Sequence, residues 1–476
     1  MSDSRIGGHM SELTKLGVYL SYLCEGLGHA DRHSGLREYC SGLMLPIERK
    51  SIEPLAACVA PWQVGAKHQA LHHFVAKSDW SDDILLDKVR QWVSPALGLE
   101  TGAFWIVDDT GFPKKGKCSV GVARQYCGQL GKQDNCQVAV SLSLSSCVGS
   151  IPIGYRLYLP KEWAEDTQRR TKAGVPQDIV FATKPEIALV LVRRAKDKGV
   201  PPGPVLADAG YGSDTDFRDA LSALELQYAV GVTSQTHVWA PGVQPLPPKL
   251  QKRTGRPSKL LCRGPGHERV SVKKLALELP ECAWSTVTWR EGSNVPLTGR
   301  FASVRVRPSH RDYWRSTVRE EEWLLVEWPE TEAGPTKYWL STLSEESTLE
   351  ELVRVVKMRW RIERDYQELK QEFGLGHFEG RGWRGFHHHA TLCVAAYGFL
   401  MTARLKGNGA QKNTNELPSF ELPKDYQPRG SSTSATSCAR LDPNTTFAYC
   451  KGHCPTTSAM SMLRQRKNGE CSFMTQ

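Results

Sequence analysis

A mixed α/β fold is what the sequence predicts, on three observations. Strand-like apolar runs follow one another over residues 119–160 with no helical pattern between them. Helical and strand patterns then alternate over 184–232. An amphipathic helix returns near residue 347, after a second group of strands. Consecutive strands form meanders and alternating elements form crossovers, so the two together call for a mixed sheet flanked by helices.

The elements can be justified in chain order. Residues 11–95 have helical periodicity in LTKLGVYLSYLCEGL, IEPLAACVA and HHFVAKSDWSDDILLDKVRQWV. Basic and histidine side chains lie between the apolar ones, among them Arg32, Arg37, Arg49, Lys67, His68 and His72. They read either as solvated faces or as a DNA-binding helical module, and no helix-turn-helix spacing stands out. AFWIVDDTGF is a first short strand closing on two acids. SVGVARQYCG, NCQVAVSLSLSS and PIGYRLYLP are the meander, the first two joined by a glycine-containing turn. KPEIALVLVRRAKDKG is a helix stopped by glycine, PVLADAGYG a buried strand ending at an aspartate, DTDFRDALSAL a helix and QYAVGV a strand.

Residues 234–342 interrupt this alternation. PGVQPLPPKLQKRTGRPSK is a proline- and lysine/arginine-rich loop, and STVTWRE, GRFASVRVRPS, EEWLLVEWP and KYWLSTL are strand candidates. The segment contains Trp239, Trp284, Trp289, Trp314, Trp323, Trp328 and Trp339, seven of the 14 tryptophans. One long helix is expected from Ser347, with Ser347 and Glu350 at capping-box spacing, to Gly374. Beyond about 406 the chain is polar and rich in Pro, Gly and Ser, a composition that predicts disorder.

Composition narrows the function classes. The 476 residues carry 61 Lys+Arg against 51 Asp+Glu, a net charge of +10 that favours a polyanionic partner. No apolar run reaches the roughly 18–20 residues a membrane span needs, so no membrane partner is expected. The 14 cysteines follow no regular framework and read as reduced thiols, which points to the cytoplasm.

Three acids stand where chemistry would need them. Asp108, or its neighbour Asp109, ends the first strand, and Asp208 ends a later one. Catalytic groups of open α/β sheets collect beyond the carboxyl ends of strands, so the two can share a site. Glu363 lies on the long helix, where Arg359, Glu363, Tyr366 and Lys370 fall on one face beside an apolar stripe of Leu349, Leu352, Val356 and Phe373. Two Asp and one Glu suit hard divalent cations, Mg²⁺ or Mn²⁺, in phosphoryl transfer.

DDTGFPKKGKCSVGVARQYCGQLGKQDNCQ, VLADAGYG and RWRIERDYQELKQEFGLGHFEGRGW, in this order, resemble the motifs of DDE transposases of bacterial insertion sequences. The resemblance covers roughly residues 30–405 and implies an RNase H-like mixed sheet flanked by helices, interrupted by a β-rich insertion and preceded by a helical N-terminal domain. The domains it implies are 11–98 (helical, DNA-binding), 99–233 (first part of the core), 234–342 (β-rich insertion), 343–405 (second part, with the catalytic helix) and 406–476 (polar tail). Carried over by motif, the metal-binding catalytic acids are Asp108, Asp208 and Glu363. Asp108 is preferred to Asp109 because the family often reads Asp, any residue, then Thr or Ser, as in Asp108-Asp109-Thr110.

The helix also resembles the family's Tyr-Arg-Glu-Lys signature at Arg359, Glu363 and Lys370, with Val356 in place of the tyrosine. Lys114, Lys115, Lys117 and Arg124 follow the first acid and are expected to grip DNA phosphates, as are Arg359 and Lys370. Arg256, in a Gly-Arg-Pro sequence, resembles a minor-groove hook. The resemblance implies a cut-and-paste transposase acting on double-stranded DNA in the bacterial cytoplasm, at the nucleoid, as a homodimer in a paired-end complex. In related transposases an aromatic of the insertion stacks on a flipped base, and any of the seven tryptophans is a candidate. His377 and His387-His388-His389 follow the catalytic helix as packing, phosphate-contact or metal groups.

Overall fold

A computed structural model describes residues 12–248, 259–290 and 297–410. Five helices open it: α1 (Glu12–Cys24), α2 (His33–Met44), α3 (Ile52–Val59), α4 (Val64–Ala76) and α5 (Asp82–Leu97). In α5, Ser81 caps the first turn through the Ile84 amide and Gly98 ends the last at positive φ. Leu85, Leu86, Val89, Val93 and Leu97 make its buried stripe.

The sheet begins with β1 (Phe104–Pro113), β2 (Ala123–Cys127), β3 (Lys132–Ser145) and β4 (Ser150–Leu157). After the short helices α6 (Lys161–Glu165) and α7 (Thr167–Ala173), α8 (Lys184–Asp197) leads to β5 (Val205–Ala207). Then come α9 (Ala209–Gly212), α10 (Thr215–Ala223), β6 (Tyr228–Val232), β7 (His237–Trp239), β8 (Val270–Ser271) and α11 (Val272–Glu278). The chain continues with β9 (Ser285–Arg290), β10 (Leu297–Pro308), β11 (Glu322–Trp328) and β12 (Lys337–Ser341). Three helices close it: α12 (Leu349–Lys357), α13 (Trp360–Gln371) and α14 (Trp383–Ala410).

The twelve strands among the described residues belong to one sheet, ordered β2-β3-β1-β5-β6-β12-β11-β10-β7-β8, with β4 also on β3 and β9 also on β10. β1 runs antiparallel to β3 and parallel to β5, which gives the mixed sheet and helical flanks of an RNase H-like fold. β3 is buried on both faces, with Val140, Leu142 and Leu144 on one and Ser141, Ser143 and Ser145 on the other. The strands of the expected β-rich insertion also belong to this sheet. They extend it, because β12 pairs antiparallel with β6 from Tyr338–Val232 to Ser341–Ala229.

Two local expectations are corrected. β1 does not end at Asp108 but runs on to Pro113, because its full length is paired with β3. The long helix expected from 347 is broken into α12 and α13, and its capping box is Thr348 with Glu351 rather than Ser347 with Glu350. Across the break the backbone closes tighter turns, with Met358 N donating to Val355 O, Arg361 N to Met358 O and Ile362 N to Arg359 O. α12 packs over β6, β9 and β10, whereas α13 packs over β1 and β4. A twisted sheet turns its two halves differently, and the helix bends where it crosses from one to the other.

α14 joins the two ends of the described chain. Tyr19 on α1 donates its hydroxyl to Ala395 O (2.8 Å), and Tyr39 on α2 meets His389 Nδ1 (2.9 Å). His388 meets the carbonyls of Val75 and Trp80, each at 2.9 Å. His388 and His389 are therefore packing in the seam between α14 and the opening helices, whereas His387 faces the sheet and accepts from the Leu157 amide of β4 (3.2 Å). All ten cysteines among the described residues are free thiols. No described helix is long and apolar enough to cross a membrane.

Candidate active site

The parallel pairing of β1 with β5 sets Trp105 against Val205 and Ile106 against Leu206. Continuing that register by two residues brings Asp108 level with Asp208, just beyond the end of the adjoining strand. β5 stops at Ala207, so Asp208 is already in the turn and caps α9 by accepting from the Gly210 amide (2.9 Å). Two glycines allow this turn to lie on β6. A Cβ at Gly212 would come within 2.1 Å of Gly231 O, and one at Gly231 within 2.9 Å of Ala209 N. Both backbones touch where a side chain would stand, so neither position accepts alanine without moving the Asp208 turn.

Across from the strands stand Arg359, at the N-cap of α13, and Glu363, in its first turn. Arg359 Nη1 lies 2.8 Å from Asp108 Oδ2 and Nη2 lies 2.7 Å from Glu363 Oε1, so one guanidinium bridges an acid of the sheet to an acid of the helix. The Asp108 side chain is 16% exposed and that of Glu363 is 62%. Burial pushes the Asp108 carboxyl up to about 7. Arg359 opposes that rise, while the negative charge of Asp208 adds to it.

Asp109 has other partners. Its carboxylate accepts from Lys184 Nζ at 2.9 Å and from the Tyr211 hydroxyl at 3.3 Å. Successive strand residues alternate between faces, which explains why the neighbouring acids divide their partners in this way.

α13 is held in place from beneath. Tyr366 is buried with its hydroxyl on Ser141 Oγ, so it packs and does not reach a DNA phosphate. Asp365, also buried, accepts from Ser150 Oγ (2.5 Å) and from the Tyr397 hydroxyl (2.9 Å). Lys370 Nζ donates to Gly111 O (2.9 Å) and Gln129 Oε1 (3.2 Å), tying the helix to β1 and to the β2–β3 turn. Val356, at the signature's tyrosine position, is buried.

Of the other basic residues expected at DNA, Lys114 turns inward to Phe378 O (2.8 Å), whereas Lys115, Lys117 and Arg124 are exposed. Arg256 lies outside the described residues, as do Cys438, Cys450, Cys454 and Cys471 of the polar tail. Of the seven tryptophans of 234–342, Trp239 and Trp284 are buried and Trp314 is 63% exposed. His377 accepts from the Lys50 amide through Nδ1 (3.0 Å).

Sequence reasoning missed Lys184, Tyr211, Ser141 and Asp365. Tyr211 lies within the quoted VLADAGYG run and so had a local signal. Lys184 and Ser141 had none, because Lys184 reaches Asp109 from the start of α8 and Ser141 comes beside Asp108 only through the pairing of β3 with β1.

Among the described residues no three Asp, Glu, His or Cys side chains are gathered into a ready metal cage. The donor chemistry nonetheless fits Mg²⁺ or Mn²⁺, since two aspartates and a glutamate are hard oxygen ligands. The space between Asp108 and Glu363 already holds a positive group, the Arg359 guanidinium.

The sheet order and its helical cover place the chain in the RNase H-like class. Within that class it belongs to the DDE superfamily endonucleases, whose family model matches residues 22–296. The match includes Asp108 and Asp208 and ends before α12. The chain is also similar to a probable transposase for insertion sequence element IS701 from Microchaete diplosiphon, 33% identical over 198 residues. That alignment covers 41% of this chain and 48% of the relative, so the chain spans about half of the relative's length.

Proposed function

We propose that the chain is a cut-and-paste DNA transposase. It binds the terminal inverted repeats of its element, hydrolyses a phosphodiester at each end and joins the freed 3′-hydroxyls to target DNA. The observation that carries this reading is the register that continues to Asp108 and Asp208, with Arg359 linking Asp108 to Glu363 on α13. The similarity to a probable insertion-sequence transposase supports it.

Asp108, Asp208 and Glu363 are the ligands in this reading. Mg²⁺, or Mn²⁺ in its place, would supply Lewis-acid stabilisation of the attacking and leaving oxygens. Arg359, whose two terminal nitrogens form a planar fork, takes a phosphate of the bound strand. Lys184 and Tyr211 fix Asp109 and with it the strand that carries Asp108. Lys115, Lys117 and Arg124 grip backbone phosphates beside the site, and Arg256 enters a narrow minor groove. Trp314 is the aromatic exposed for base stacking. The opening helices bind the repeats, and two copies act in a paired-end complex on chromosomal DNA in the cytoplasm.

The test is cleavage and joining of a labelled element-end duplex with Mg²⁺ by wild type, Asp208→Asn and Glu363→Gln. Wild type should cut and join, and both variants should bind without cutting. Cutting without joined product identifies a nuclease that lacks strand transfer. Binding without cutting by wild type identifies a catalytically silent DNA-binding protein.

A further inference from the structure

We propose that Arg359 is a resident counter-cation that closes the metal-binding face in the DNA-free protein, and that a DNA phosphate releases it. The inference rests on the reading of Asp108, Asp208 and Glu363 as metal ligands.

The bridging geometry carries it. Both terminal nitrogens of Arg359 are engaged by acids of the site, Nη1 on Asp108 Oδ2 (2.8 Å) and Nη2 on Glu363 Oε1 (2.7 Å). A divalent cation on these oxygens would take the same lone pairs and would stand beside a guanidinium of like charge. Metal and Arg359 therefore compete at Asp108 and Glu363.

Release needs an acceptor and a path. The Arg359 side chain is 27% exposed, so a phosphate can reach its fork from solvent. Two oxygens of one phosphate can take both terminal nitrogens together, in place of the two carboxylates that now hold one each. Arg359 also sits at the junction of α12 and α13, with Trp360 opening the next helix, and its side chain can swing without unwinding either one. Lys357, two residues earlier, is fixed by Glu327 Oε1 at 2.7 Å and by the face of Trp289 at 4.2 Å from the ring centroid. The junction thus keeps its place while the arginine exchanges partners. The consequence is a metal site that is tighter on DNA than off it, and by linkage a DNA affinity that rises with metal.

The experiment titrates Mn²⁺ into the full-length protein and reads bound metal by electron paramagnetic resonance. It compares wild type, Arg359→Gln and Asp108→Asn, each with and without a duplex bound at low salt. Circular dichroism checks that each variant is folded. Two partly exposed ion pairs compete with the metal, so Arg359→Gln should bind Mn²⁺ about ten-fold more tightly than wild type without DNA. Wild type should gain a similar factor when the duplex is bound, and Arg359→Gln should gain little. If Arg359→Gln binds no more tightly than wild type while Asp108→Asn loses the metal, the closure is refuted and the ligand assignment survives. If Asp108→Asn binds Mn²⁺ as tightly as wild type does with the duplex bound, the ligand assignment fails and the gate with it. A wild-type affinity unchanged by bound duplex, as seen by mobility shift, overturns release by DNA.

Discussion

Asp108 and Asp109 are chain neighbours with separate partners: Asp108 takes the Arg359 guanidinium at 2.8 Å and Asp109 takes the Lys184 ammonium at 2.9 Å. The separation predicts different costs for two otherwise identical substitutions. Asp108→Asn removes a proposed metal ligand worth several kcal/mol to the transition state, so cleavage should fall by about a thousand-fold or more. Asp109→Asn only loosens a supporting contact, and a loss of roughly 10–100-fold is expected. Single-turnover cleavage rates at saturating DNA compare the two, and the reverse ranking would make Asp109 the ligand.

The basic residues near the site divide in the same manner. Lys115, Lys117 and Arg124 are exposed, while Lys370 donates to Gly111 O and Gln129. Each phosphate contact contributes about 0.9 to the slope of log affinity against log salt on duplex DNA. Replacing Lys115, Lys117 and Arg124 by alanine should therefore lower the slope by about 2–3. Lys370→Met should leave the slope nearly unchanged and lower stability instead, by about 1–2 kcal/mol for the lost hydrogen bonds. Filter binding across a salt series, together with urea unfolding, separates these outcomes.

Much of this arrangement was legible in the sequence, and what was not has physical reasons. The strand runs and the glycine-stopped α8 are local patterns, so they could be read directly. The fate of 234–342 could not, because the pairing of Tyr338 with Val232 depends on residues about a hundred positions apart. α14 has no helical period to read, since its stretch from Phe386 to Thr402 is buried nearly all round. The α12–α13 break is also hidden, because Met358 and Arg359 are ordinary helix formers and the bend comes from the sheet beneath. At the site, spacing brought out Arg359, Glu363 and Lys370 as one face. It could not show that Lys370 faces a carbonyl and Arg359 a carboxylate.

Tyr366 offers a test of how firmly α13 is seated. Its hydroxyl meets Ser141 Oγ inside the protein, and the other contact of Ser141 Oγ is a long one, 3.5 Å, to Asp108 O. Tyr366→Phe leaves the serine hydroxyl buried and poorly partnered, which costs about 1–2 kcal/mol. Urea unfolding should show that loss, with DNA affinity unchanged because the ring is out of reach of solvent. Weakened DNA binding at wild-type stability would contradict the buried role.

His389 makes the stability of the fold depend on pH. It is buried between α2 and α14, with Nδ1 on the Tyr39 hydroxyl at 2.9 Å and Nε2 on Gly374 O at 3.0 Å. A neutral ring satisfies both, accepting at Nδ1 and donating at Nε2. Burial pushes its pKa down to about 4 from the ordinary 6.5, and the Gly374 bond only partly opposes that. Between those two values the unfolded chain binds a proton that the native protein refuses. Stability from this group is therefore complete above about pH 6.5 and is lost as pH falls toward 4, by about 1.4 kcal/mol per unit and of order 3 kcal/mol in all. His389→Gln keeps an acceptor and a donor but does not titrate, so its unfolding free energy should fall less steeply, by close to one proton. Urea unfolding at about pH 7.5, 6 and 5 measures both slopes. Equal slopes for wild type and variant would mean that His389 is already protonated in the folded protein.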